Sequence, residues 1–203
     1  MKLYKYLDSK YVDSFWEKGE MRIGSLSSFR ETEKLGDEIG HVSEGTSSAS
    51  DVPLSIKADY GQRLEIGVGN EGPVRVSFVA ISYDAFVYCL TEESRSDCRQ
   101  RLGYTSGFVV NDVSKFAYEV EKCLRNKHSF LPNFALGKCV YLDHDKDEDA
   151  IRNAEPSLVK ASRFGYQKEH RILWFAPDFN TRLDPIVLEV PKARSFCSVL
   201  PDH

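Results

Sequence analysis

"FGYQKEHRILW", residues 164–174, sets a glutamine, a glutamate, a histidine and basic residues at the mouth of an apolar run. The run is short and carries an isoleucine and a tryptophan, so it predicts a late strand. Side chains alternate along a strand, which puts Gln167, Glu169 and Arg171 on one side and Tyr166, Lys168 and His170 on the other. Two roles are open to Glu169. It is a catalytic carboxylate, or it is the counter-ion of Arg171 two positions along, an edge contact worth about 0–1 kcal/mol.

Working outward, the same period-two alternation recurs in "KLYKYL" at the start, a brief strand at Met21–Ile23, "LSIKADY", "RLEIGV", "VRVSFVAIS" and "FVYCLTE" between residues 53 and 92, "SGFVVND", "GKCVYLD" and a final "PIVLEV". Helical spacing appears in "DSKYVDSFWEKG", with Asp8 or Ser9 as N-cap and Gly19 as stop, and in "DVSKFAYEVEKCLRNK", where Phe116, Val120, Cys123 and Leu124 share a face. "SRSDCRQRLG" reads as a short helix, and "KDEDAIRNAEPSLVKAS" as a charged helix bent at Pro156. No repeat or linker divides residues 1–203, so the pattern predicts one α+β domain in which strands dominate and about three helices lie between them.

A chain of 203 residues, 41% of them hydrophobic, builds a real core, and a formal charge of −4 gives no general nucleic-acid footprint. The cysteines form no C-x-x-C pair and read as buried reduced thiols. "MKLYKYLDSK" lacks an apolar leader core and no stretch approaches a membrane span, so a soluble cytoplasmic protein is expected. No G-x-S-x-G, phosphate-binding loop or dinucleotide glycine fingerprint is present, which removes the common hydrolase, kinase and Rossmann readings. In "GDEIGHVSEG", Asp37, Glu38, His41 and Glu44 match no metal-ligand spacing. Its glycines fit a lid over residues 36–52, with Glu44 a candidate target contact and no metal expected. His41, His170 and Arg171 could serve a metal-free ribonuclease, and "SRSDCRQR" and "CLRNKH" could track phosphates if they meet in space.

Taken with the late Q-x-E step, "LYKY" and "MRIGSLSSFR" have the order strand, helix, glycine, short strand, arginine. This order resembles the ADP-ribosyltransferases, and among bacterial toxin and defence proteins it is distantly similar to the DarT-like group, with a Y-x-x-E-x-R strand near the C-terminus. The resemblance implies a split β-sheet core, NAD as substrate without a metal, and a macromolecular acceptor, nucleic acid or protein, in a toxin or phage-defence setting with a possible antitoxin. It places Lys5 and Tyr6 on the first pocket strand, Arg30 at the phosphate or ribose side, Tyr88 (with Tyr4) against the nicotinamide, and Glu169 with Gln167 at the reacting carbon. The chemistry suits a carboxylate: breaking the nicotinamide–ribose bond develops positive charge on the sugar, which a fixed anion stabilises beyond the ground state. The chain departs from the pattern in having no H-x-T on its first strand and no Ser-Thr-Ser on a middle one. The rival reading is a non-catalytic module of the same fold that binds a nucleotide, a nucleic acid or a protein.

Overall fold

The structure, a computed structural model, describes residues 1–30, 46–49, 62–68, 76–94, 96–129, 134–142, 150 and 154–200. It is mixed α and β, organised around a large antiparallel sheet. The sheet draws on β1 (Leu3–Leu7), β2 (Glu20–Ser25), β6 (Ala85–Thr91), β7 (Ser106–Val110), β8 (Ala135–Lys138), β11 (Glu169–Phe175), β12 (Ile186–Glu189) and β13 (Cys197–Val199). A second sheet joins β3 (Thr46–Ala49), β5 (Val76–Ser82) and β4 (Gln62–Val68) in that order. A two-stranded parallel ribbon pairs β9 (Val140–Leu142) with β10 (Val159–Ala161).

Helix α1 (Ser9–Lys18) begins after Asp8, whose carbonyl accepts from the amides of Tyr11 and Val12, and stops at Gly19. Gly19 sits at φ 74°, and its amide closes on the carbonyls of Phe15 and Ser14. A side chain there would collide with the backbone of Val190 and Pro191 at 2.6 Å, so glycine is needed for both conformation and space. Helix α4 (Val113–Lys127) is capped by the Asp112 carboxylate, which accepts from the Lys115 amide. Phe15 of α1 and Phe116, Val120 and Leu124 of α4 cover one face of the sheet, burying Leu3, Ile23, Tyr88, Phe108 and Trp174. Phe15 stacks on Phe108 with ring centroids 4.2 Å apart.

The main sheet is split. One edge of β6 is fully paired with β11, from Glu169↔Thr91 to Phe175↔Ala85. Its other edge meets β2 only at Gly24↔Val87 and Ser25↔Phe86, and β1 only at Tyr4↔Thr91. Between those contacts Tyr88, Cys89 and Leu90 have a strand partner on the β11 side alone. β1 diverges with β7 and β13, β2 diverges with β12, and a wedge opens between them. The local reason is visible on β1, whose residues from Leu3 to Leu7 pair completely with Val110 to Ser106 of β7 and follow that strand away from β6.

Several expectations change. Residues 162–167 form a 3-10 helix, Lys168 adopts a left-handed φ of 41°, and the strand starts at Glu169, so Gln167 is not on it. The charged helix expected to reach Ser162 instead gives a 3-10 turn at Pro156–Leu158 and strand β10, because Val159 and Lys160 pair in parallel with β9. "GKCVYLD" is broken at Cys139 into β8 and β9. Leu26–Arg30, where no element was expected, form a five-residue helix, α2, and strand β3 lies within residues 36–52, the span expected as a lid. Among the described residues no helix is long and apolar enough to cross a membrane.

Candidate active site

The register aligns Tyr4, Thr91 and Glu169 across β1, β6 and β11. Side chains of residues paired in this way share one face of a sheet. Those three open onto a cleft of about 420 Å³ that occupies the wedge. Its walls come from Tyr4 to Leu7 of β1, from Glu20, Arg22 and Gly24 of β2, and from Val87 to Thr91 of β6. Cys98 and Leu102 on the side of α3 (Ser96–Arg101), together with Tyr104, close one end, and Phe29 of α2 closes another. Tyr4 and Tyr6 lie nearly parallel at 6.5 Å between centroids, and Tyr11 and Tyr104 also line the cleft, whereas the Tyr88 ring, though in the wall, is packed between Lys5 and Phe116 on the helix-covered side. Such a cleft accepts a flat ring against a π face.

Glu169 is buried at the end of this cleft. Its Oε1 accepts from Arg171 Nε at 2.6 Å and faces the Cys139 thiol at 3.7 Å; its Oε2 accepts from Lys160 Nζ at 2.9 Å. Lys160 also donates to Gln167 Oε1 at 2.7 Å, so Gln167 and Glu169 are neighbours after all, brought together by the turn at Lys168 and a shared ammonium. The Tyr141 hydroxyl accepts from the Glu169 amide at 2.7 Å, and the Glu169 carbonyl accepts from the Cys139 amide at 2.8 Å. Arg171 is itself anchored to the Ser157 carbonyl at 2.6 Å.

Electrostatics follow from these contacts. Burial alone would push the Glu169 carboxyl up, but the Lys160 and Arg171 cations outweigh it and hold the group well below the usual carboxylate range. It is therefore an anion at any ordinary pH, unsuited to proton shuttling and suited to accepting a hydroxyl or facing developing positive charge. The thiols around it are neutral: burial pushes Cys89 up to about 12 and Cys98 up to about 11, and raises Cys139 as well. Lys5 donates to the Cys89 carbonyl at 3.0 Å, the very edge the split leaves without a strand partner, and lies 4.5 Å over the Tyr88 ring. Burial lowers its pKa, with Cys89 and Glu169 pulling the other way.

Of the residues singled out by sequence, Lys5, Tyr6, Tyr88, Gln167 and Glu169 line one cleft. Tyr6 spends its hydroxyl on the Glu93 carbonyl at 2.8 Å, and its ring stacks on Tyr4. Arg30 ends α2 and does not line the cleft; that helix turns Phe29 toward it, and the arginine present in the wall is Arg22 of β2. Glu44, with His41 and most of the expected lid, lies outside the described residues. The pairing of Glu169 with Arg171 exists, but buried rather than at a surface edge. Lys160, Cys139 and Tyr141 were missed by sequence reasoning. Of the two basic clusters, the first brings Cys98 of α3 to the cleft, and the second brings Cys123, Asn126 and Lys127 to a different groove beside Glu189. Among the described residues no group of three or more His, Cys, Asp or Glu is placed to hold a metal ion. Compared with known proteins, the chain matches no family model, no curated protein and no solved structure.

Proposed function

We propose that this chain is an NAD-dependent mono-ADP-ribosyltransferase that acts on a macromolecular acceptor, nucleic acid or protein. The observation that carries the reading is the lateral alignment of Tyr4, Thr91 and Glu169, which sets a buried, ion-paired carboxylate at the end of a tyrosine-lined cleft in a split sheet. In this reading the nicotinamide packs against Tyr4 and Tyr6, and Lys5 and Arg22 give the diphosphate positive charge. Glu169 accepts a ribose hydroxyl and stabilises the oxocarbenium ion as the nicotinamide leaves, while the acceptor attacks the anomeric carbon. A toxin or phage-defence effector restrained by an antitoxin is the setting this activity fits.

One observation favours a second reading, a non-catalytic nucleotide-binding module: Lys160 and Arg171 already bond both carboxylate oxygens and offset the charge that would face a sugar cation. NAD labelled in its adenylate half, incubated with purified protein and cell extract, separates the two. The transferase reading expects label on an acceptor, reduced in Glu169→Gln by on the order of 10²–10³-fold at equal folded protein. NAD binding without transfer by wild type, or equal labelling by both proteins, refutes it.

A further inference from the structure

The two holds on the Glu169 carboxylate differ in kind. Each carboxylate oxygen has two lone-pair directions. Oε1 uses both, on Arg171 Nε and the Cys139 thiol, whereas Oε2 uses one, on Lys160 Nζ. Arg171 rides on the same strand as Glu169 and moves with it. Lys160 comes from β10, on the separate ribbon with β9, and its buried ammonium also fixes Gln167 Oε1, which turns the Gln167 amide nitrogen to the Tyr166 hydroxyl at 3.3 Å.

We infer that Lys160 is a positioning residue: by bridging Gln167 Oε1 and Glu169 Oε2 it presents Oε2, the oxygen with an open lone pair, to a hydroxyl of the ligand in the split. The ligand's identity as NAD rests on the function proposed above, whereas the bridge itself does not. Lys160 ties the last residue of the 162–167 3-10 helix and the first residue of β11 to the β9–β10 ribbon through one ammonium. Without it the carboxylate keeps the Arg171 guanidinium and the Cys139 thiol, both on Oε1, and Oε2 loses the contact that fixes it.

The groups facing Glu169 from neighbouring elements are Lys160 of β10, Arg171 of its own strand, Lys5 of β1, Cys89 of β6, Cys98 of α3, Cys139 between β8 and β9, and Tyr141 of β9. The thiols and the tyrosine stay protonated because burial raises them, so the cations control the carboxylate.

The test is carried out on the intact chain with 13C-carboxyl-labelled glutamate. In wild type the Glu169 resonance stays fixed between about pH 4 and 8, and in Lys160→Met it titrates within that range. Lys160→Arg restores the fixed resonance. Lys160→Gln keeps a hydrogen-bond donor without the charge, and it should titrate as well, so the readout survives if the methionine variant does not fold. NAD turnover in the same variants should gain an acid limb in Lys160→Met and Lys160→Gln, with kcat falling about tenfold and KM changing less, and recover in Lys160→Arg. A folded Lys160→Met or Lys160→Gln protein with an unmoved Glu169 resonance, or with undiminished turnover, overturns the inference. A wild type that leaves NAD intact while the resonances move as stated sinks the NAD reading instead and leaves the bridge standing.

Discussion

Glu169→Gln removes one charge while keeping volume, and its effect on stability follows from the geometry. The carboxylate bonds Lys160 at 2.9 Å and Arg171 at 2.6 Å, with side-chain exposures of 6% and 1%. Breaking a buried ion pair by removing one partner costs about 3–5 kcal/mol. The glutamine oxygen still accepts one bond, so the expectation is the lower end, about 3 kcal/mol at neutral pH. The folded-state pKa of Glu169 lies below its unfolded value, so its stabilisation is complete above about pH 4.3 and is lost as pH falls through the acid range. One such group loses at most about 1.4 kcal/mol per pH unit. Urea unfolding of both proteins at several pH values from neutrality downward should therefore show a gap that is constant above about pH 5 and narrows below it. A gap that stays the same into the acid range, or a variant as stable as wild type at neutrality, refutes the buried triad.

Lys5 carries the opposite sign. Its folded pKa is lowered by burial, so the folded state disfavours the proton, and wild-type stability relative to Lys5→Met should rise as pH climbs from neutrality toward about 10.4; thermal melts across that range check it, and a difference that moves the other way with pH contradicts it. At Lys168, whose φ is 41°, glycine should be tolerated within about 1 kcal/mol while valine costs about 1–2 kcal/mol more, read from urea midpoints. Gly19→Ala meets both a left-handed backbone and the Val190–Pro191 wall, and should cost at least about 2 kcal/mol in the same assay. Thiol reagents at mildly alkaline pH should leave Cys89, Cys98 and Cys139 unmodified in the native chain and reach them in denaturant; fast native labelling of Cys89 contradicts its raised pKa.

Much of the site was legible because its principal strands announce themselves. β1, β6 and β11 are short and rich in aromatic and branched apolar residues, and all three were placed within a few residues of their bounds except where β11 begins. That start was hidden by Lys168: a left-handed turn is readable when glycine or asparagine occupies it, not when lysine does. Lys160 was hidden for a related reason, since three residues of strand after a proline turn are too few to show a period and lie in a run of helix-forming residues. Arg30 was placed by the order of elements in the resemblance, yet a five-residue helix aims its side chains by packing, and the contact between Phe29 and Gly24 turns Phe29 to the cleft. The register that lines up Tyr4, Thr91 and Glu169 is a long-range pairing, and no local pattern specifies it.

A crystal structure of the chain with NAD tests the central claim most directly. The account predicts the dinucleotide within the split, its nicotinamide against Tyr4 and Tyr6 and a ribose hydroxyl about 3 Å from Glu169 Oε2. NAD bound elsewhere on the surface, or a cleft that stays empty at saturating NAD, contradicts it.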